Sequence, residues 1–176
     1  MHQVAVRTSE SDINPSRQET ESILNHSRQA WEASEPCRQL RETLAMATAP
    51  RNITKVVGFA CGSLAAQDPQ DRQAVRSATQ HALLLTIQDI LREPGRQAQI
   101  PCFVQDPGYT AVDKDVLGTS GITVLDDPMG FVEVDDESVL VSIHPNCPVK
   151  EIVHDLAKPA LIIWEAAYDH TITPPV

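Results

Sequence analysis

Apolar positions near the start of the chain recur with helical spacing. After a polar, unpatterned stretch over residues 1–13, Asn14-Pro15 with Ser16 and Glu19 supplies a cap, a first-turn proline and the spacing of a capping box. Ile23, Leu24, Ser27, Ala30 and Trp31 then fall on one stripe, and Ser34-Glu35-Pro36 marks a break before Leu40, Leu44 and Ala45. The spacing predicts two amphipathic helices, suited to cover a sheet face, form a lid or mediate dimerisation.

From Ile53 the pattern changes. The run Ile-Thr-Lys-Val-Val-Gly-Phe-Ala-Cys-Gly-Ser is β-branched and ends in small residues, as a buried strand entering a tight turn does. Asp68-Pro69 predicts the start of a long helix to about Arg92, with Val75, Ala78, Ala82 and Leu85 inward and Pro94-Gly95 stopping it. A strand followed by such a helix favours a parallel crossover. The unit repeats: Ile100 to Val104 reads as a strand, Thr110 with Asp113 caps a helix through Leu117, Gly118 stops it, and Ile122 to Leu125 is a third strand. Val139 to Ile143 and Ala160 to Trp164 read as further strands around a helix at Val149 to Leu156, whereas Asp126 to Ser138 carries no helical apolar pattern. The expected fold is therefore α/β: a three-layer, Rossmann-like (methyltransferase-like), five-stranded and mainly parallel sheet with two N-terminal helices. Residues 1–50 form a helical extension in this reading, and residues 51–176 the Rossmann-type domain.

Composition narrows the partners. The 176 residues are 41% hydrophobic, enough for one sizeable core, and 14 Lys and Arg against 24 Asp and Glu leave a formal charge of -10. Such a surface repels a phosphate backbone or an anionic leaflet, so neither nucleic acid nor membrane is an expected partner, and 4% aromatic residues leave few platforms for stacking bases. There is no secretory pattern and no apolar run of membrane-spanning length, so the protein is expected to stay in the cytoplasm, with the nucleus as the other compartment open to it. Cys37, Cys61, Cys102 and Cys147 are far apart and form no C-x-x-C pair, which predicts reduced, mostly buried thiols rather than disulfides or a zinc ribbon.

In open parallel sheets, ligands bind outside the carboxyl ends of the strands, where strand order reverses. That rule selects Cys61-Gly62-Ser63, Gln105-Asp106-Pro107-Gly108-Tyr109, Asp126-Asp127, His144-Pro145-Asn146-Cys147, and Glu165 with Tyr168. Gly58 and Gly62 do not make a dinucleotide fingerprint, yet Gly62 and the Ser63 hydroxyl can approach a polar or anionic ligand; turn geometry alone also explains the glycine. Asp106 stands where an acid bonds ribose hydroxyls in nucleotide and S-adenosylmethionine sites, and equally where an Asx turn needs an aspartate. His144 and Cys147 have the spacing of a partial metal pair, but no third ligand is evident and no metal is expected; His144 is also an acid-base candidate or a structural histidine. His81 and Tyr168 are lesser candidates of that kind, and Asp135-Asp136-Glu137 reads as a solvated turn.

Several of these segments, in order, resemble the SRR-like domain, named after the plant Sensitivity to Red Light Reduced protein. Val56-Val57-Gly58-Phe59-Ala60-Cys61-Gly62-Ser63-Leu64 is similar to its opening glycine-serine turn, and Ser77 to Leu84 to its Ser-x-x-Gln-x-Ala-Leu helix. Gln105-Asp106-Pro107 with Gly118 resembles its Asp-Pro segment and downstream Leu-Gly, and Val139 to Pro148 its strand ending in Pro-His-Cys. Ala60 replaces the first glycine of the family's Gly-x-Gly, and Asn146 its histidine. The resemblance covers Ile53 to Trp164 and implies the fold more than a reaction; its members are linked to light signalling, circadian control and haem-related regulation.

Two functions follow as expectations. In the first, the protein binds a small molecule, or is an enzyme of a specialised pathway such as secondary metabolism. Gly62, Ser63, Asp106, Tyr109 and Asp126 then line a polar crevice for S-adenosylmethionine or a nucleotide, with His144 and Asp106 as the catalytic candidates. In the second it is a non-catalytic regulatory or interaction protein, with the N-terminal helices as a homodimer or partner surface.

Overall fold

The computed structural model describes residues 16–46, 53–65, 71–92, 100–143 and 145–164. Two helices lead, α1 (Arg17–Glu32) and α2 (Glu35–Met46). The capping box at the start of α1 forms as its spacing predicts: the Ser16 side chain accepts from the Glu19 amide, and the Glu19 carboxylate accepts from the Ser16 amide at 2.8 Å. Five strands follow, β1 (Lys55–Phe59), β2 (Cys102–Gln105), β3 (Thr123–Val124), β4 (Ser138–Ser142) and β5 (Leu161–Trp164). The helices between them are α3 (Arg72–Ile90), α4 (Ala111–Thr119), α5 (Met129–Glu133) and α6 (Val149–Leu156).

All four strand pairings are parallel, in the order β3-β2-β1-β4-β5. The chain builds outward from β1 to β3, then crosses back to lay β4 on the other side of β1, so strand order reverses between β1 and β4. Right-handed crossovers in opposite directions require helices on opposite faces. The packing agrees. On one face Val56, Cys102, Val104, Val139 and Val141 pack with residues of α1, α3 and α4; on the other Val57, Phe59 and Leu140 pack with Phe131 of α5 and with Val149 and Val153 of α6. Period-two alternation along β1, β2 and β4 thus feeds two cores, which is why these strands are apolar throughout.

Three details depart from the sequence reading. The connection from Asp126 to Ser138 contains a short helix, α5, too brief for an apolar period to register. Strand β3 shrinks to Thr123–Val124 at the sheet edge. Val75, expected inward, is 40% exposed, because the first turns of α3 overhang the end of the sheet. The expected helix start at Asp68-Pro69 and its stop at Pro94-Gly95 lie outside the described residues. No helix among the described residues is long and apolar enough to cross a membrane.

Candidate functional site

The carboxyl ends of β1, β2 and β4 meet at the reversal of strand order, and a crevice of about 290 Å³ opens there. Its apolar surface comes from Phe59, Phe131, Val149 and Ile152, and its polar surface from Gln105, Asp106, Asp127, Asn146 and Cys147. Phe59 and Phe131 stack with ring centroids 4.5 Å apart, which fixes one wall. Gln105 fixes a second: its side-chain amide donates to Asp127 Oδ1 at 2.8 Å, and its Oε1 accepts from the Gly130 amide at 2.6 Å. A side chain at residue 130 would collide with Gln105 and Phe59, so glycine lets α5 close against the tips of β1 and β2.

The lip of the crevice is the turn after β1. Ala60 holds φ 56, a left-handed conformation that costs an L-residue about 1–2 kcal/mol, and its amide donates to the Gln105 carbonyl at 3.1 Å. The glycine that this position has in the SRR-like pattern meets that need without strain; alanine does not. Gly62 follows at φ 77, and a Cβ there would lie 2.4 Å from Ser77 Oγ, so glycine is required by both backbone and packing.

Most of the polar groups selected from the sequence serve this turn. Asp106 accepts from the Gly62 amide at 2.9 Å through one oxygen and from the Gly108 amide at 2.8 Å through the other, so it closes an Asx turn and pins the β1 loop. Ser63 donates to Asp113 at 2.7 Å. Asp113 is fully buried and also accepts from the Leu64, Ala65 and Thr110 amides and from the Thr110 hydroxyl. The capping box of α4 marked Asp113 as a helix cap; its hold on the distant β1 loop has no sequence signature.

Tyr109 is turned inward. His81 Nδ1–H donates to the Ser77 carbonyl at 2.6 Å, which leaves Nε2 to accept the Tyr109 hydroxyl proton at 2.7 Å. Burial holds the imidazole neutral, lowering its pKa to about 4, and pushes the phenol well above its usual range. Burial likewise raises the Cys61 thiol and brings that of Cys102 to about 12, so both are inert. Cys147 is the exposed thiol. Asp126 does not face the crevice: its carboxylate pairs with Lys114 at 2.8 Å on the exposed surface, and that hydrogen bond lowers its pKa. Its neighbour Asp127 lines the crevice instead. His144, Glu165 and Tyr168 lie outside the described residues. Asp135 bonds Ser138 and pairs with Lys55, so the acidic run is a capped turn.

Among the described residues, no group of three or more His, Cys, Asp or Glu side chains is placed to hold a metal ion. The described crevice lining also carries no Lys or Arg. Acids and amides with aromatic walls suit a neutral or cationic ligand that donates hydrogen bonds, and disfavour phosphates.

No curated protein and no solved structure is found to match the chain. The profile of the SRR1 domain does match, over residues 22–172, from within α1 to beyond β5. The match takes in the glycine-serine turn and the Asp-Pro turn at the crevice lip and the α3 helix on the opposite face of the sheet, and the chain belongs to the SRR1-domain family.

Proposed function

We propose that the protein binds a small molecule in the crevice at the carboxyl ends of β1, β2 and β4. The observation that carries this reading is the lip itself: a non-glycine residue held at φ 56 where strand order reverses, beside an open, aromatic-walled crevice. Strain of this kind persists where surrounding structure imposes it, and it concentrates at ligand sites. A volume of about 290 Å³ is at the lower end for ligand pockets and suits a body of nucleoside size or less. Asp127 and Asn146 are the groups to accept and donate hydrogen bonds to it. Within the cofactor classes expected from the fold, the adenosine and cationic sulfonium of S-adenosylmethionine, with its amino-acid end reaching out of the crevice, suit this lining better than a nucleotide phosphate.

Binding without catalysis is the second reading, and one observation favours it. Ser63, Asp106, Asp113, His81 and Tyr109 are all engaged with one another or with backbone, and the two hydroxyls that do meet a base, Ser63 with Asp113 and Tyr109 with His81, are not part of the crevice lining. The test is a thermal-shift series with adenosine, S-adenosylmethionine and ATP. A ligand at 100 times its Kd adds about 2.7 kcal/mol. The reading expects a shift with adenosine or S-adenosylmethionine that Asp127→Asn with Asn146→Leu removes, and little with ATP. An equal shift in the double variant would overturn it.

A further inference from the structure

A second and larger concavity, about 540 Å³, lies on the opposite face of the sheet from the crevice. It is bounded by the overhanging half of α3, by Trp31 near the end of α1, and by Ile143 just after β4. Because α3 returns antiparallel to the strands it connects, its N-terminal half sits at their carboxyl edge. The stripe Arg72, Val75, Arg76, Thr79, Gln80 and Leu83, spaced by alternating steps of three and one, is the single helix face presented to this groove.

Three features of the groove bear on what it can hold. Its surface is apolar: Val75 is 40% exposed, Leu83 and Ile143 extend it, and the Trp31 indole is locked in place by donating to Thr86 Oγ1 at 3.0 Å. Arg72 and Arg76, one helical turn apart, are exposed and have no carboxylate partner among the described residues, whereas Arg17, Arg28 and Arg38 are all paired. Gln80 Oε1 is shielded from water and accepts no hydrogen bond. In a chain of formal charge -10, two guanidiniums without a carboxylate partner among the described residues place positive charge beside an apolar wall.

We infer that this groove binds an anionic amphiphile: an apolar body lying on Trp31, Val75 and Leu83, with a carboxylate, sulfonate or phosphate head held between Arg72 and Arg76. Two guanidiniums at this spacing grip a planar or tetrahedral anion with charge-assisted bonds, and Gln80 Oε1 takes an N–H or O–H of the body. The site is independent of the crevice, whose lining is acidic and suits the opposite charge.

The probe is 8-anilinonaphthalene-1-sulfonate, which joins an aromatic body to one sulfonate. With Trp164→Phe, Trp31 is the remaining tryptophan of the two and reports on the groove alone. The dye is expected to quench Trp31 and to show sensitised emission. Arg72→Gln with Arg76→Gln, both exposed positions, is expected to keep the Tm and weaken binding about tenfold or more. The neutral analogue N-phenyl-1-naphthylamine is expected to bind about tenfold more weakly to the parent and equally to both forms. Dye binding without transfer from Trp31, an affinity unchanged in the double variant, or equal affinity for the neutral analogue would each overturn the inference. Transfer to a dye that also blocks Cys147, the exposed thiol of the crevice, would place the dye elsewhere and overturn it too.

Discussion

Ser63 donates its hydroxyl proton to Asp113 at 2.7 Å, a bond between residues fifty apart in the chain. It joins the loop after β1 to the first turn of α4, and the same carboxylate holds the Leu64 and Ala65 amides. Removing it strands several buried donors at once. Asp113→Ala is expected to lower stability by about 3 kcal/mol or more, read from the urea midpoint at unchanged m. Ser63→Ala, which leaves the Leu64 and Ala65 amide bonds to Asp113 in place, is expected to cost about 1 kcal/mol.

Ala60 gives a prediction of opposite sign. Relief of the left-handed backbone at φ 56 outweighs the added flexibility of the unfolded chain, so Ala60→Gly is expected to stabilise by about 1 kcal/mol. Thermal unfolding of the two proteins measures it directly.

Gly62 and Ser77 are coupled by contact. A Cβ at residue 62 would meet Ser77 Oγ at 2.4 Å, and that hydroxyl is buried without a partner. Gly62→Ala is expected to cost about 3 kcal/mol, from backbone strain plus overpacking. Ser77→Ala alone is expected to be close to neutral, and the double variant to recover part of the loss, a coupling that a double-mutant cycle resolves.

The buried His81 sets a pH dependence. Its pKa in the fold is about 4, below the 6.5 of an exposed imidazole, so between these values the unfolded chain binds the extra proton. Stability from this group is fully present above pH 6.5 and is lost as pH falls towards 4, by up to about 3 kcal/mol. Urea unfolding from pH 7.5 to 4.5 should show this slope, and His81→Gln should flatten it.

The sequence conveyed the strands and the long helices because their apolar spacing is strong and their ends are marked. Helix α6 is found at Val149–Leu156 as its pattern predicts, and both capping boxes, Ser16 with Glu19 and Thr110 with Asp113, form. Helix α5 escaped notice since it spans only five residues and is held by a tertiary bond, Gln105 to Gly130, not by local periodicity. Strand-tip placement singled out Asp106 and Gly62, but whether an acid there meets ligand or backbone depends on which amides face it. Here they are those of Gly62 and Gly108. The choice between Asp126 and Asp127 likewise turns on Gln105 and Lys114, partners that a linear pattern does not reveal.

Occupancy of the crevice by a ligand can be read at Cys147. Cys37, Cys61 and Cys102 are buried and Cys147 is exposed within the crevice lining. Its rate of reaction with 5,5′-dithiobis(2-nitrobenzoate) in the native protein therefore reports occupancy. Saturating adenosine or S-adenosylmethionine should slow the reaction about tenfold or more, since a thiol covered by ligand reacts only while the site is empty. A rate unchanged by either compound, in protein whose Tm the same compound raises, would put the ligand elsewhere and contradict the account.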